Sequence, residues 1–270
     1  MIPYAFHYRR AHSLADAEKF FAAASDAKFL AGGQTLIPTM KLRLASPAEL
    51  IDISAIAELS FIDAKADAIV IGAGTKHEAV ATSPAVHRLI PALAELAGTI
   101  GDPAVRHMGT LGGSLANNDP AADYPAAALA LGAAIETTRR NIAAEDFFTG
   151  MFSTALEDGE IITAVTFPAV EKAGYAKFRN PASRYALAGV FVAKTKDGVR
   201  VAVTGAGPCV FRLPAMEAAL ARNFAAEALK DIAVSASGLN ADLHASAEYR
   251  AHLVTVMARR AVTAALADPA

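Results

Sequence analysis

Hydrophobic and polar residues follow helical and strand periods in turn along the first part of the chain. Ser13-Leu14-Ala15-Asp16 resembles a capping box and predicts a helix that continues to about Ala24. Further helices are predicted at 36–42, 84–97 and 121–131, and strands at 28–31, 49–53, 61–63, 68–72, 133–138 and 160–167. This order indicates a β-loop-α-β unit followed by a hairpin, in a mixed α+β arrangement.

The composition changes around residues 170–174, where we expect a linker. Beyond it, strands are predicted at 175–179, 187–194 and 199–204, with Asp197-Gly198 as a hairpin turn between the last two. Helices are predicted from Pro214 onwards, the last over 247–267. We therefore expect an α+β chain with a first domain over 1–170, divided into subdomains of about 1–55 and 56–170. A C-terminal domain over 171–270 would contain a three-stranded antiparallel sheet with helices.

Overall composition narrows the class of protein. Hydrophobic residues make up 54% of the 270 residues, which is enough for a sizeable core. The net charge of −2 provides no electrostatic case for nucleic-acid binding. No apolar run approaches the roughly 20 residues that a transmembrane helix needs, and residues 1–10 lack the charged-then-apolar order of a signal peptide. We expect no transmembrane segment and a cytoplasmic location.

The cysteine count excludes several kinds of site. Cys209 is the only cysteine, so an intramolecular disulfide and a cysteine-based zinc site are excluded. An iron–sulfur cluster held by four cysteines of this chain is excluded for the same reason. Any cluster with which this protein works must therefore belong to another polypeptide.

Other common motifs are incomplete in this sequence. Gly72-Ala73-Gly74 follows an apolar strand, but His77 stands where a dinucleotide-binding fingerprint has its third glycine, so we interpret the segment as a strand-end turn. No histidine shows the spacing of a metal site, and we expect residues such as His77 at the surface or at helix caps. The sequence also lacks a Walker lysine motif and a Gly-x-Ser-x-Gly elbow.

Two glycine-rich segments carry the candidate chemistry. The first glycine loop, residues 31–35, reads Ala-Gly-Gly-Gln-Thr, and the second glycine loop, residues 108–114, reads Met-Gly-Thr-Leu-Gly-Gly-Ser. Glycine permits positive φ and close backbone approach, and successive N–H groups in such turns form a nest suited to a pyrophosphate. Asp123 could accept hydrogen bonds from ribose or ribityl hydroxyls, or it could be the N-cap of the helix predicted around it. The two loops together predict a site for a long ligand with a pyrophosphate in its middle and a polyol arm.

The order of these motifs resembles a known family. The two glycine loops, Arg106-His107 before the second of them, Asp123, Lys177 and the later Ser183-Arg184 are similar to the FAD-binding medium subunit of molybdenum hydroxylases, the family of xanthine dehydrogenase and carbon monoxide dehydrogenase. The resemblance implies a flavin fold of the vanillyl-alcohol-oxidase (PCMH) type. Two subdomains would clasp a noncovalent FAD, and the C-terminal domain would help to close the site.

The resemblance also implies the cofactor-binding residues. The first loop would wrap the pyrophosphate, the second would form the opposite wall, Asp123 would hold the ligand, and Lys177 would lie near the flavin. Ile100 or Gly101 and Tyr185 would lie near the isoalloxazine ring, and Ile162 matches an apolar position before the last strand of the FAD domain. The full set is Ala31, Gly32, Gly33, Gln34, Thr35, Leu36, Ile100, Gly101, Thr110, Leu111, Gly112, Gly113, Ser114, Asn117, Asp123, Ile162, Lys177 and Tyr185.

His107 and Ser114 depart from the pattern, because many relatives carry Asn at the first position and some carry Asn at the second. No catalytic side chain and no metal ligand is expected.

The function that the resemblance implies is electron transfer. A large molybdopterin subunit would hydroxylate the substrate, a small subunit would carry two [2Fe–2S] clusters, and FAD on this chain would reduce an external acceptor. The expected assembly is a dimer of heterotrimers. A self-sufficient FAD-dependent oxidase of the same fold, and a non-enzymatic module that has lost FAD, are the alternatives. The limited length after the linker argues against the first, and the intact glycine loops argue against the second.

Overall fold

The computed structural model describes residues 2–267, and its N-terminal unit is built on a small parallel sheet. The elements of this unit are β1 (His7–Arg10), α1 (Leu14–Ala23), β2 (Ala27–Leu30), α2 (Leu36–Lys41) and β3 (Glu49–Asp52). Strand β3 lies in the centre, with β1 and β2 parallel on either side. The hydrophobic pattern did not predict β1, because all four of its residues are exposed and show no apolar alternation.

The predicted capping box is present at the start of α1. The Ser13 hydroxyl accepts a hydrogen bond from the Asp16 N–H at 3.1 Å, and the Asp16 carboxylate accepts one from the His12 N–H at 3.2 Å. The return bond therefore goes to the residue before the cap rather than to the cap itself. The bond to Ser13 satisfies a backbone donor that the first turn of a helix cannot pair internally, and the bond from His12 fixes the residue that leads into the cap.

The second unit contains a five-stranded antiparallel sheet and most of the helices. A short 3-10 turn (Ala57–Leu59) leads into it. Its elements are β4 (Ile62–Ala64), β5 (Ala68–Gly72), α3 (His77–Thr82), α4 (Pro84–Leu89), α5 (Pro91–Gly98), α6 (Pro103–Arg106), α7 (Leu111–Asn117), α8 (Tyr124–Leu131), β6 (Ala134–Thr137), β7 (Asn141–Ala143), α9 (Ala144–Phe147), β8 (Phe148–Gly150), β9 (Ser153–Thr154) and β10 (Ile162–Pro168). The strand order is β4-β5-β10-β6-β7, and β8 and β9 form a separate hairpin. The β4–β5 hairpin agrees with the predicted strand pair.

The single helix predicted over 84–97 is two helices. Helix α4 ends at Leu89 and α5 begins at Pro91, with Ile90 in a non-helical conformation between them (φ −146°, ψ 72°). Proline has no N–H to continue the helix and disfavours helical backbone in the residue before it. The hydrophobic period continues across the break because both helices bury apolar faces in the same core.

The C-terminal unit contains a four-stranded antiparallel sheet and two helices, of which the second is long. Its elements are β11 (Lys172–Arg179), β12 (Ala186–Thr195), β13 (Gly198–Thr204), β14 (Phe211–Arg212), α10 (Pro214–Arg222), a 3-10 turn (Ala226–Leu229) and α11 (Ala247–Ala267). The prediction of three strands missed the two-residue β14. The linker expected at 170–174 is also corrected, because β11 already pairs with β12 from Lys172 onwards.

The predicted hairpin between the second and third of these strands is present. Thr195 pairs with Gly198, so the two turn residues are Lys196 and Asp197, one position earlier than predicted. Gly198 has a φ of +128°, which L side chains rarely adopt.

Both faces of the C-terminal sheet are buried. Tyr175 and Phe191 on one face belong to the core that α5 and α8 also fill, whereas Val190 and Val201 on the other face pack with α10 and α11. A strand covered on both faces has a continuous apolar run instead of alternation, as 186–193 shows. The first 170 residues and the C-terminal unit therefore share a hydrophobic core. Together these elements confirm the predicted α+β class.

Within residues 2–267, no helix combines the length and the apolar character needed to cross a membrane.

Candidate functional site

A cleft with a volume of about 770 Å³ lies where the three units meet. Its lining includes both glycine loops, the segment around Gly101, and the loop that leads to Tyr185. All the residues predicted to bind the cofactor line this cleft except Leu111 and Lys177. Residues from distant parts of the chain, predicted as one set, are thus brought together in space.

The first glycine loop follows β2 and precedes α2. Gly33 has a φ of +70°, a conformation that glycine adopts without steric cost. Across the described residues 2–267, the backbone N–H groups of 32–35 donate to no protein acceptor. Because unpaired backbone donors are costly unless a solvent or ligand partner satisfies them, this loop offers a set of N–H groups to the cleft.

The second glycine loop is the first turn of a helix. Thr110 is the N-cap of α7, and the first four N–H groups of the helix all have acceptors inside the protein. Leu111 donates to the Thr75 carbonyl (3.0 Å), Gly112 to the Ala73 carbonyl (2.8 Å), Gly113 to Thr110 Oγ1 (3.1 Å) and Ser114 to the Thr110 carbonyl (3.0 Å).

The two glycine loops therefore differ, although the sequence led us to expect N–H groups from both. A Cβ added at Gly112 would lie 2.5 Å from the Ala73 Cβ, so this glycine lets α7 approach the end of β5. A Cβ added at Gly32 would lie 2.2 Å from the Met108 carbonyl oxygen, so the two loops are packed directly against each other. The first loop has unpaired backbone N–H groups, whereas the N–H groups of residues 111–114 in the second are paired within the protein and its backbone packs against the first loop.

Asp123 is buried in an ion pair between two units. It stands at the N-cap position of α8 but makes no side-chain cap hydrogen bond. Its carboxylate accepts hydrogen bonds from the Tyr175 hydroxyl and from Lys177 Nζ, the latter at 2.9 Å. Burial raises the pKa of Asp123, and the charge of Lys177 opposes that rise. Asp123 also lines the cleft, so the same carboxylate faces the site and the C-terminal sheet.

Lys177 does not line the cleft. Its side chain is only 2% exposed and lies on β11, behind Asp123 as seen from the cleft. In this structure Lys177 is connected to the cleft by its ion pair with Asp123. Leu111, the first residue of α7, also does not line the cleft, because its side chain is fully buried in the core.

One end of the cleft is formed by the loop before β12. Arg184, with a φ of +63°, donates from Nη1 to the Gly101 carbonyl at 3.2 Å. This bond connects the C-terminal unit to the segment that contains Ile100 and Gly101. Tyr185 is 46% exposed beside it. The three residues expected near the ring of the ligand thus lie at a common end of the cleft.

His77 is buried, which corrects the expectation of a surface or capping residue. It is 5% exposed, lines the cleft and packs against Tyr124 with ring centroids 5.4 Å apart. Burial, with smaller effects from the charges of Lys76 and Arg106, lowers the pKa of His77 to about 4. Its Nδ1 has no hydrogen-bond partner in the part of the chain described.

Lys76 also lines the cleft, although no motif in the sequence predicted it there. The only signal was its place two residues after the Gly72-Ala73-Gly74 turn, and that turn brings it to the second glycine loop. Among residues 2–267, no three histidine, cysteine or acidic side chains form a group that could hold a metal ion.

Comparison with known proteins gives a consistent result. Residues 4–170 match the family described as the FAD binding domain in molybdopterin dehydrogenase. The chain is 41% identical to the carbon monoxide dehydrogenase medium chain of Afipia carboxidovorans, over 73% of this chain and 72% of that protein. It is 36% identical to the nicotine 6-hydroxylase medium subunit of Paenarthrobacter nicotinovorans, over 97% of each.

The fold agrees as well. The structure matches a chain of reconstituted CO dehydrogenase from Oligotropha carboxidovorans with a TM-score of 0.93 and 35% identity, over 100% of both chains. A family match over more than half of the chain, full-length sequence relatives and a full-length structural match all point the same way. The chain belongs to the family of FAD-binding medium subunits of molybdenum hydroxylases.

Proposed function

We propose that this chain binds one FAD noncovalently and passes electrons from [2Fe–2S] clusters on a partner subunit to an external acceptor. The observation that carries the proposal is the cleft beside the first glycine loop, whose N–H groups have no acceptor within the described chain. A pyrophosphate is the ligand group that such a nest of donors suits. The matched family is described by the same cofactor.

The residues present fit FAD. The first glycine loop would hold the pyrophosphate through its free N–H groups. A Cβ at Gly32 would push this loop away from the second one, and a Cβ at Gly112 would push α7 away from the end of β5. Asp123 would accept hydrogen bonds from hydroxyls of the ligand while it stays paired with Lys177. Ile100, Gly101 and Tyr185 would flank the ring.

FAD would supply the redox chemistry, because the protein of such a subunit binds and orients the cofactor. This chain's own side chains would exclude water and fix the position of the ring. His77 stays neutral near pH 7, since burial lowers its pKa to about 4, and so adds no charge to the cleft. No general acid or base in the chain is required.

Partner subunits follow from the cysteine count and from the relatives. With Cys209 as its one cysteine, the chain cannot hold a four-cysteine cluster. Relatives are named as medium chains of carbon monoxide dehydrogenase and nicotine 6-hydroxylase. We propose a large molybdopterin subunit and a small iron–sulfur subunit as partners, assembled as a dimer of heterotrimers.

The test is a dye-reduction assay with the full chain, first alone and then with its partner subunits. We expect the isolated chain to be yellow and to pass electrons from chemically reduced FAD to an artificial acceptor. Substrate-dependent dye reduction should require the partners. Substrate turnover by the chain alone would favour a self-sufficient oxidase and contradict the electron-transfer proposal.

A further inference from the structure

Lys76 is a cation at the junction of the two glycine loops. It follows the turn after β5, lines the cleft and is half-buried. Its Nζ donates a hydrogen bond to the Met108 carbonyl oxygen at 2.9 Å. The same oxygen lies 2.2 Å from the position of a Cβ built on Gly32. One carbonyl group therefore contacts both the lysine ammonium and the loop whose N–H groups are free.

The ammonium of Lys76 has no counter-ion within the described residues. No carboxylate there lies within 4.0 Å of Nζ. Asp52 acts on Lys76 only through its longer-range charge, and its carboxylate already pairs with Arg10 at 3.4 Å. Burial lowers the pKa of Lys76, which means that removal from water disfavours its charged form.

Within residues 2–267, the half-buried Lys76 ammonium has a backbone carbonyl as its only hydrogen-bond partner, so its charge is poorly compensated. An anion beside it would restore the lost solvation and would gain charge-assisted hydrogen bonds. The unpaired N–H donors of 32–35 belong to the loop that packs against the same Met108 carbonyl, and they also favour an anion. Lys28 and Arg184 also line the cleft, but both are exposed, so water screens their charges.

We propose that Lys76 Nζ binds a phosphate of the dinucleotide, acting together with the free N–H groups of the first glycine loop. This assignment rests on the proposed FAD function and adds a specific cationic ligand to it. The Met108 carbonyl orients the ammonium, and the phosphate supplies the missing negative charge. No motif in the glycine loops themselves contains this residue.

The experiment titrates the full-length, FAD-stripped chain with three probes: FAD, ADP and riboflavin. The variants are Lys76→Met, which removes the charge and the donor, and Lys76→Gln, which removes the charge but keeps a donor for the Met108 carbonyl. Lys19→Met makes the same charge change at an exposed position on α1 and is the control.

We expect both Lys76 variants to bind FAD and ADP at least about tenfold more weakly, as a charge-assisted hydrogen bond predicts. Riboflavin, which has no phosphate, should bind all variants alike. The FAD affinity of the wild type should fall more steeply with salt than that of either Lys76 variant. Lys19→Met should behave as the wild type in every titration.

Several outcomes would overturn the assignment. Wild-type FAD affinity in Lys76→Met would do so, and so would a full return of affinity in Lys76→Gln, which would leave Lys76 as a structural hydrogen-bond donor only. Equal weakening for riboflavin would indicate a disturbed fold. If the wild type itself bound no FAD, the proposed function would fail first and this assignment with it, so the two failures are distinguishable.

Discussion

Asp123 and Lys177 form a buried ion pair, with 2.9 Å between the carboxylate and Nζ, across the boundary between the first 170 residues and the C-terminal sheet. The side chains are 6% and 2% exposed. The Tyr175 hydroxyl donates to the same carboxylate. A residue expected from the sequence to act mainly on the ligand thus also joins two parts of the fold.

Asp123→Asn should therefore destabilise the apo protein as well as weaken FAD binding. Removal of one partner leaves the Lys177 ammonium buried without a counter-ion, which costs about 3–5 kcal/mol in comparable pairs. Thermal or denaturant unfolding of the FAD-free chain measures this cost.

Two further variants make the Asp123 test specific. The double variant Asp123→Asn/Lys177→Met should recover part of the stability, because it removes the orphaned charge. Glu171→Gln, which breaks the exposed Glu171–Lys194 pair, should change stability by less than about 1 kcal/mol. An apo protein as stable as wild type after Asp123→Asn would contradict a stabilising role for the pair.

Gly32→Ala should lose most of its FAD while the chain stays folded. The new Cβ would meet the Met108 carbonyl oxygen at 2.2 Å, and this contact is to backbone, so the two loops must move apart. Gly98→Ala is the matched control, because its Cβ would meet nothing closer than the Ala81 Cβ at 3.8 Å. Flavin content and circular dichroism are measured on both. Full FAD occupancy in Gly32→Ala would remove the junction of the loops from the cofactor site.

His77 should make the stability of the protein depend on pH in the acid range. Its pKa is lowered by burial to about 4 from 6.5, so below pH 6.5 the unfolded chain takes up a proton that the folded chain does not. Stability is therefore complete above pH 6.5 and falls as the pH drops towards 4, by about 3 kcal/mol in total.

In His77→Gln this part of the acid-induced loss should disappear from unfolding curves recorded between pH 7 and pH 4. Tyr124→Phe is the companion control, because it removes another buried polar group without a partner among the described residues but no group that titrates in this range. Its pH profile should match that of the wild type. Identical acid profiles for wild type and His77→Gln would show that His77 does not titrate as its burial requires.

The flavin should be released from the protein by acid precipitation. Cys209 does not line the cleft, and its sulfur lies 3.6 Å from Asn118 Nδ2 instead. We therefore expect a noncovalent cofactor, whose yellow colour should move to the supernatant. Colour retained in the pellet would indicate a covalent bond. The His77→Gln variant would then test whether His77, the histidine in the lining of the described cleft, forms that bond.

Local sequence determined much of this protein. The capping box at Ser13, the strand pair at 61–72 and the hairpin near Asp197 could be predicted because each depends on residues a few positions apart. The two glycine loops were recognised for the same reason. The break between α4 and α5 also has a local cause, Pro91. It was not predicted, because the hydrophobic period continues across it.

The hydrogen-bond partners and the burial of the site residues were decided only by the tertiary structure. The unequal use of N–H groups in the two loops depends on the Ala73 and Thr75 carbonyls, which the fold brings beside α7. The roles of the Lys76 and Lys177 ammonium groups depend on their burial and on partners far away in the sequence. Neighbouring residues determine neither property. Periodicity reports which face of an element is apolar, whereas hydrogen-bond partners and desolvation are set by long-range packing.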